Sequence, residues 1–200
     1  MQASPDLVQR AVAVARTAGF PLTRQEAGPD RPSACLPGVG QFLAVLAAGC
    51  HGGRIAELGT GAGIGTAWMA SSMPPDCTLY TAELDADLAA AAAGLLAADS
   101  RVRVLAGEAF ELLAGHAPFS LIFADSGVRD AAAFASLTSL LAPGGRIVMD
   151  DVTPELALPD GSALRQSDPK RELFAGERRL TWTEVVLPDL ANSLLVGTRR

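Results

Sequence analysis

The sequence predicts one α/β domain on a mostly parallel sheet, and three observations lead there. Short apolar runs alternate with helical runs between residues 54 and 151. Hydrophobic residues make up 49% of the 200 and charged residues 19%, enough apolar surface to offset the ordering entropy of a single domain and to exclude global disorder. The first apolar run empties into a turn with glycine at every second position. Strand and helix in strict alternation are the pattern of right-handed βαβ units, with helices covering both faces of the sheet.

Taken in order, residues 1–19 read as an amphipathic helix: Asp6, Gln9, Arg10 and Arg16 interrupt the apolar residues, and no basic leader precedes them, so the stretch does not read as a signal peptide. Residues 19–38, rich in Pro and Gly and without periodicity, read as a linker laid over the main domain. Residues 38–49 carry Phe42, Leu43, Val45 and Leu46 at helical spacing and stop at Gly49. The alternation then runs RIAELG (54–59), a helix from 62 to 73 closed by Pro74-Pro75, TLYTAE (78–83), a helix over 84–99, RVRVLAG (101–107) and a short helix over 109–115. FSLIFAD (119–125), a helix over 130–142, a Pro-Gly-Gly turn and GRIVMDD (145–151) complete it. Beyond a helical 168–179, two strand-like runs at 180–188 and 192–200 suggest an antiparallel hairpin at the sheet edge. The expected division is a helix and linker over 1–34 and the main domain over 35–200.

Charge and residue usage narrow the function. Sixteen basic against 22 acidic side chains give a net charge of −6, which disfavours nucleic acid as a partner. No run of 18 uncharged apolar residues is present to span a membrane. Cys35, Cys50 and Cys77 are odd in number and lack CxxC spacing, so they read as reduced packing thiols of a cytoplasmic protein. Lys170 is the only lysine, and it reads with Asp168 and Glu172 as part of a solvated helix; His51 and His116 read as surface residues at the far end of the sheet.

The chemistry concentrates in Glu57-Leu58-Gly59-Thr60-Gly61-Ala62-Gly63-Ile64-Gly65, a strand entering a glycine turn and then a helix. Such a turn lets a ligand lie against bare main chain, with helix N-terminal amides beyond it. A P-loop is excluded because no Lys is near. The dinucleotide fingerprint GxGxxG fails, since its third glycine falls on Ile64 or Thr66. What remains is E-x-G-x-G-x-G, with Glu83 ending the next strand where a carboxylate can accept both hydroxyls of a ribose.

AELGTGAGIGTAWMA followed by LYTAELDADLAAAA, with RVRVLAGEAFELL, FSLIFAD, LLAPGGRIVMDDV and the closing VVLPDLANSLLVGTRR, resembles the S-adenosylmethionine site of class I methyltransferases. Within them it is similar to the small O-methyltransferases of the catechol and caffeoyl-CoA type, and the similarity spans roughly residues 35–200. The resemblance implies a Rossmann-like methyltransferase fold, a seven-stranded sheet in the order 3-2-1-4-5-7-6 with the last strand antiparallel. It places Glu57, Gly59, Thr60, Gly61, Gly63 and Gly65 around the methionine and sugar, Glu83 and Leu84 at the ribose, and Gly107, Glu108 and Ala109 at the adenine edge. Asp125 falls beside both cofactor and acceptor as the catalytic position. A small-molecule hydroxyl is the implied acceptor and a homodimer the implied assembly.

The resemblance also implies a divalent ion, Mg²⁺ or else Mn²⁺ or Ca²⁺, held by Asp125, Asp150 and Asp151. Hard carboxylate oxygens suit those ions, and parallel strands deliver their carboxyl ends to one crevice. Two departures stand out. The position where the family places a Lys after the fourth strand is Val128, and the partner Asn of the fifth strand is Asp151. The rival readings are an NAD-dependent oxidoreductase on a similar sheet and a cofactor-binding protein that has lost catalysis. Acceptor specificity is expected in the loops at 19–37 and 152–169.

Overall fold

The computed structural model describes residues 4–28, 32–128, 130–154, 158, 160, 168–187 and 192–200. Helices α1 (Asp6–Thr17), α2 (Arg24–Ala27) and α3 (Pro37–Ala48) precede the alternation β1 (Arg54–Leu58), α4 (Ile64–Ala70), β2 (Thr78–Glu83), α5 (Ala86–Leu96), β3 (Val102–Ala106), α6 (Ala109–Ala114), β4 (Phe119–Ala124), α7 (Ala131–Ser139) and β5 (Leu141–Val152). Helix α8 (Pro169–Gly176) leads into β6 (Leu180–Val186) and β7 (Ser193–Arg199). The strands form one seven-stranded sheet in the order β3-β2-β1-β4-β5-β7-β6. The first five pair in parallel, and β7 runs antiparallel to both of its neighbours, β5 and β6.

Successive strand residues point to opposite faces, so β1 feeds two cores. Ile55 packs with Val39, Leu43, Met69, Leu79 and Phe123 under α3, α4 and α5. Ala56 and Leu58 pack with Ile122, Phe134, Leu137 and Phe174 under α6, α7 and α8. Burying both faces is why these strands read as continuous apolar runs. Helix α1 lies outside α4, setting Val8, Ala11 and Ala15 against Ile64, Ala67 and Trp68. Helix starts follow local chemistry: Asp85 accepts from the Asp87 and Leu88 amides, Asp130 from Ala133, and Asp168, followed by Pro169, from Lys170 and Arg171.

Two segments differ from the sequence expectation. The linker holds a short helix, because Thr23 accepts from the Glu26 amide while the Glu26 carboxylate accepts from Leu22 at 2.8 Å. The fifth strand begins before the Pro-Gly-Gly turn. Leu141 already pairs with Phe119, and the turn residues form an irregularity before Arg146 pairs with Leu121.

Candidate active site at the carboxyl ends of the central strands

Strands β1, β4 and β5 end side by side and aim their loops into one crevice. Gly59, Gly61 and Gly63 have φ of 91°, 52° and 85°. Gly63 needs that freedom, because it is the left-handed residue that starts α4. Gly65 is required for a different reason: a Cβ there would stand 2.4 Å from Glu57 Oε1.

Glu57, 1% exposed, lies beneath the turn. Its Oε2 accepts from the Thr66 hydroxyl and, at 2.6 Å, from the Thr81 hydroxyl. Thr60 and Thr81 share a further 2.6 Å hydroxyl contact, so one buried polar chain ties the turn, α4 and β2 together. Burial pushes the Glu57 carboxyl up to about 7, against the two hydroxyl bonds that pull it down. Glu83 points into the turn from β2: its Oε2 accepts from the Gly61 amide at 2.7 Å and its Oε1 from the Asp85 amide at 3.0 Å. Beyond it, Leu84 is 77% exposed, and Gly107 (φ 138°) donates to the Glu83 carbonyl at 2.8 Å. Glu108 caps α6 by accepting from the Glu111 amide, and Ala109 is its first residue.

The three acids meet. Asp125, Asp150 and Asp151 each bring a carboxylate oxygen within 4.8 Å of the others. Asp125 also lines the cavity under the glycine turn together with Glu57, Gly59, Gly61 and Gly65. Asp150 is 4% exposed, and its Oδ1 has no hydrogen-bond partner. An orphaned buried oxygen beside two further carboxylates is the donor set of a hard cation, so the residues fit a divalent ion. Burial, followed by mutual repulsion for Asp150, raises both Asp125 and Asp150 well above the usual carboxylate range. Asp151 alone among the described non-glycine residues has positive φ, at 56°, a conformation that Asp and Asn tolerate best.

Further residues reach the site that the sequence had not placed there. Lys170 is not solvated as expected: its Nζ donates to the Asp150 carbonyl at 2.6 Å, because Asp168 starts α8 directly above the end of β5. Asp168 is likewise engaged, capping α8 and pairing with Arg171 at 3.3 Å. Arg171 holds the same strand end, donating to the Thr153 carbonyl and to both oxygens of Glu184, each at 2.8 Å. Arg24 pairs with Asp151 at 3.2 Å, and Phe20 lies on Gly61. Cys35 is half-buried in the same cavity wall, where burial and the surrounding carboxylates push its thiol up. The lone lysine two residues past an Asp-Pro helix start was the one signal that pointed here. His116 stacks on Tyr80 at 4.1 Å at the opposite end of the sheet. Most of the expected specificity loop at 152–169 lies outside the described residues.

Residues 56–152 match the family model described as "Methyltransferase domain". A putative O-methyltransferase of Mycobacterium sp. (strain JLS) is 33% identical over 192 residues, covering 88% of this chain and 84% of that protein. A catechol O-methyltransferase of Niastella koreensis is 35% identical over 143 residues, covering 66% of this chain and 61% of its own length. Among solved structures, the O-methyltransferase TomG of Streptomyces achromogenes, involved in tomaymycin synthesis and solved in complex with SAM, superposes with a TM-score of 0.72. It is 25% identical, over 98% of this chain and 91% of that one.

Proposed function

The chain belongs to the S-adenosylmethionine-dependent O-methyltransferases, and from that premise we propose that it methylates a hydroxyl of a small molecule in the crevice between the glycine turn and the three acids. The observation that carries this reading is Asp125, which lines the cavity under Gly59, Gly61 and Gly65 and also stands within the acid cluster. One side chain therefore faces both the place where a methyl donor fits and the place where an acceptor oxygen must arrive.

Each residue has a part. Gly59–Gly65 offer bare main chain to the donor, with Glu57 beneath as the acid nearest its methionine end. The Glu83 carboxylate, already oriented by the Gly61 and Asp85 amides, receives the ribose hydroxyls; Leu84, Gly107, Glu108 and Ala109 border the adenine. Asp125 holds the acceptor hydroxyl in line and takes its proton, so positioning supplies much of the rate. Asp125, Asp150 and Asp151 would hold a divalent cation such as Mg²⁺, Mn²⁺ or Ca²⁺. When bound, it lowers the pKa of a coordinated hydroxyl. With Val128 where a family Lys would stand, the proton acceptor has to come from this acidic set.

The net charge of −6 supports a small acceptor over nucleic acid, and three free thiols suit the cytoplasm. The homodimer and the division at residue 34 follow the resemblance. Titration of S-adenosylmethionine against wild type and Glu83→Ala tests the site. Loss of one charge-assisted partner should cost about 1–3 kcal/mol, roughly 5- to 150-fold in Kd. An unchanged Kd would show that the ribose is held elsewhere.

A further inference from the structure

Residues 20–28 and 32–36 lie across the glycine turn. The Phe20 ring comes within 3.0 Å of where a Cβ on Gly61 would stand, and Ser33, Ala34 and Cys35 wall the cavity on the side facing Glu57, Gly59 and Asp125. The space left between them is about 10 Å³, room for little more than a single water. A cofactor of adenosyl size needs a pocket of several hundred Å³, so with this segment in place the donor cannot lie on the turn.

The segment is built as a unit. Phe20 is tied to the end of α1 through the Ala15 carbonyl at 2.9 Å, and Ala34 donates back to the Pro21 carbonyl at 2.8 Å. Thr23 and Glu26 shape the short helix between them. From that helix Arg24 reaches the acid cluster and pairs with Asp151 at 3.2 Å. The Arg24 side chain is 55% exposed and that of Asp151 31% exposed, and an ion pair so open to water is weak, as a latch must be to release. The latch also accounts for Asp151: an amide would still offer an oxygen to a cation, but only a carboxylate pairs ionically with Arg24.

We infer that residues 20–28 and 32–36 act as a strap over the cofactor turn, latched by Arg24 on Asp151, and that a divalent cation opens the latch by displacing the guanidinium. The cation's part rests on the metal reading above; the latch does not. The electrostatics favour exchange over sharing. Two cationic groups among the described residues already serve the cluster, Arg24 at Asp151 and Lys170 at the Asp150 carbonyl. A doubly charged ion among the same three carboxylates repels a guanidinium a few Å away. Cation and cofactor then promote one another's binding, and because the coupling is one of binding free energies, it is reciprocal.

Calorimetric titration of S-adenosylhomocysteine in EDTA, with wild type, Arg24→Gln and Arg24→Lys, tests the latch without any metal. The expected result is about threefold or tighter binding to R24Q and wild-type affinity for R24K. Equal affinity of R24Q and wild type overturns the latch. Titration of MnCl₂ followed by electron paramagnetic resonance tests the cation, with tighter Mn²⁺ binding expected for R24Q. No Mn²⁺ uptake by either protein overturns the cation's part together with the metal reading, while the EDTA arm still decides the latch. Absence of S-adenosylhomocysteine binding in all three proteins overturns the strap and the cofactor reading at once.

Discussion

Replacing Glu57 by Gln should stabilise the free protein above neutral pH and weaken it as a cofactor binder. The Glu57 carboxyl is 1% exposed and ordinarily titrates at 4.5, but burial pushes it up to about 7. Between those pH values the unfolded chain has released its proton and the folded chain still holds one. The native state therefore binds more protons and loses stability as pH rises, with the whole loss present above pH 7. A proton held from 4.5 up to about 7 corresponds to about 3 kcal/mol. The amide introduced by Glu57→Gln has no charge to desolvate, and its oxygen keeps both hydroxyl bonds from Thr66 and Thr81. Urea unfolding of the two proteins without cofactor, at several pH values from 5 to 8.5, reads the effect. The variant's relative stability should climb by about 2.5 kcal/mol across that range, most of it below pH 7.5. S-adenosylmethionine affinity should fall about tenfold, since a charge beneath the turn has been lost, a loss of about 1.4 kcal/mol. A stability difference that stays flat from pH 5 to 8.5 would refute the buried-charge argument, whatever the cofactor does.

Two further outcomes follow from the strand ends. Asp150→Asn removes a buried carboxylate that repels Asp125 and Asp151, so in metal-free buffer at pH 8 the variant should unfold at higher urea than wild type while losing Mn²⁺ uptake. Retained uptake would exclude Asp150 as a ligand. Arg171→Ala removes the guanidinium from both Glu184 oxygens, leaving Oε1 only the Ser193 hydroxyl, and from the Thr153 carbonyl, and should cost about 2–3 kcal/mol in urea unfolding. Arg171 holds Glu184 below its ordinary 4.5, so this contribution is complete above that pH and disappears as pH falls through the lowered value. The gap between wild type and variant should therefore narrow in acid to what the Thr153 bond contributes, and a gap as wide at pH 2.5 as at pH 7 would refute the pairing.

Much of the site was legible because its signals are local. The alternation of apolar runs placed β1 to β5, the glycines at 59, 61 and 63 marked a turn that only positive φ permits, and strand ends at Glu83, Asp125 and Asp150 followed from where each apolar run stopped. Periods of 2 and 3.6 residues and a glycine requirement act over a few residues, so they survive in the linear chain. The start of β5 did not: Pro143-Gly144-Gly145 has turn chemistry, yet pairing of Leu141 with Phe119 carries the strand back across it.

The sequence by itself determined the layered sheet, the bare turn for a ligand and the acids that border it. Tertiary structure alone decided that Lys170 turns onto the Asp150 carbonyl, that Phe20 lies on Gly61 and that Arg24 crosses the crevice to Asp151. Those partners sit on segments far apart in the chain and lack a shared periodicity. Their meeting depends on where α1 docks on α4 and where α8 starts over β5, which is set by packing of the two cores and not by any residue's local preference.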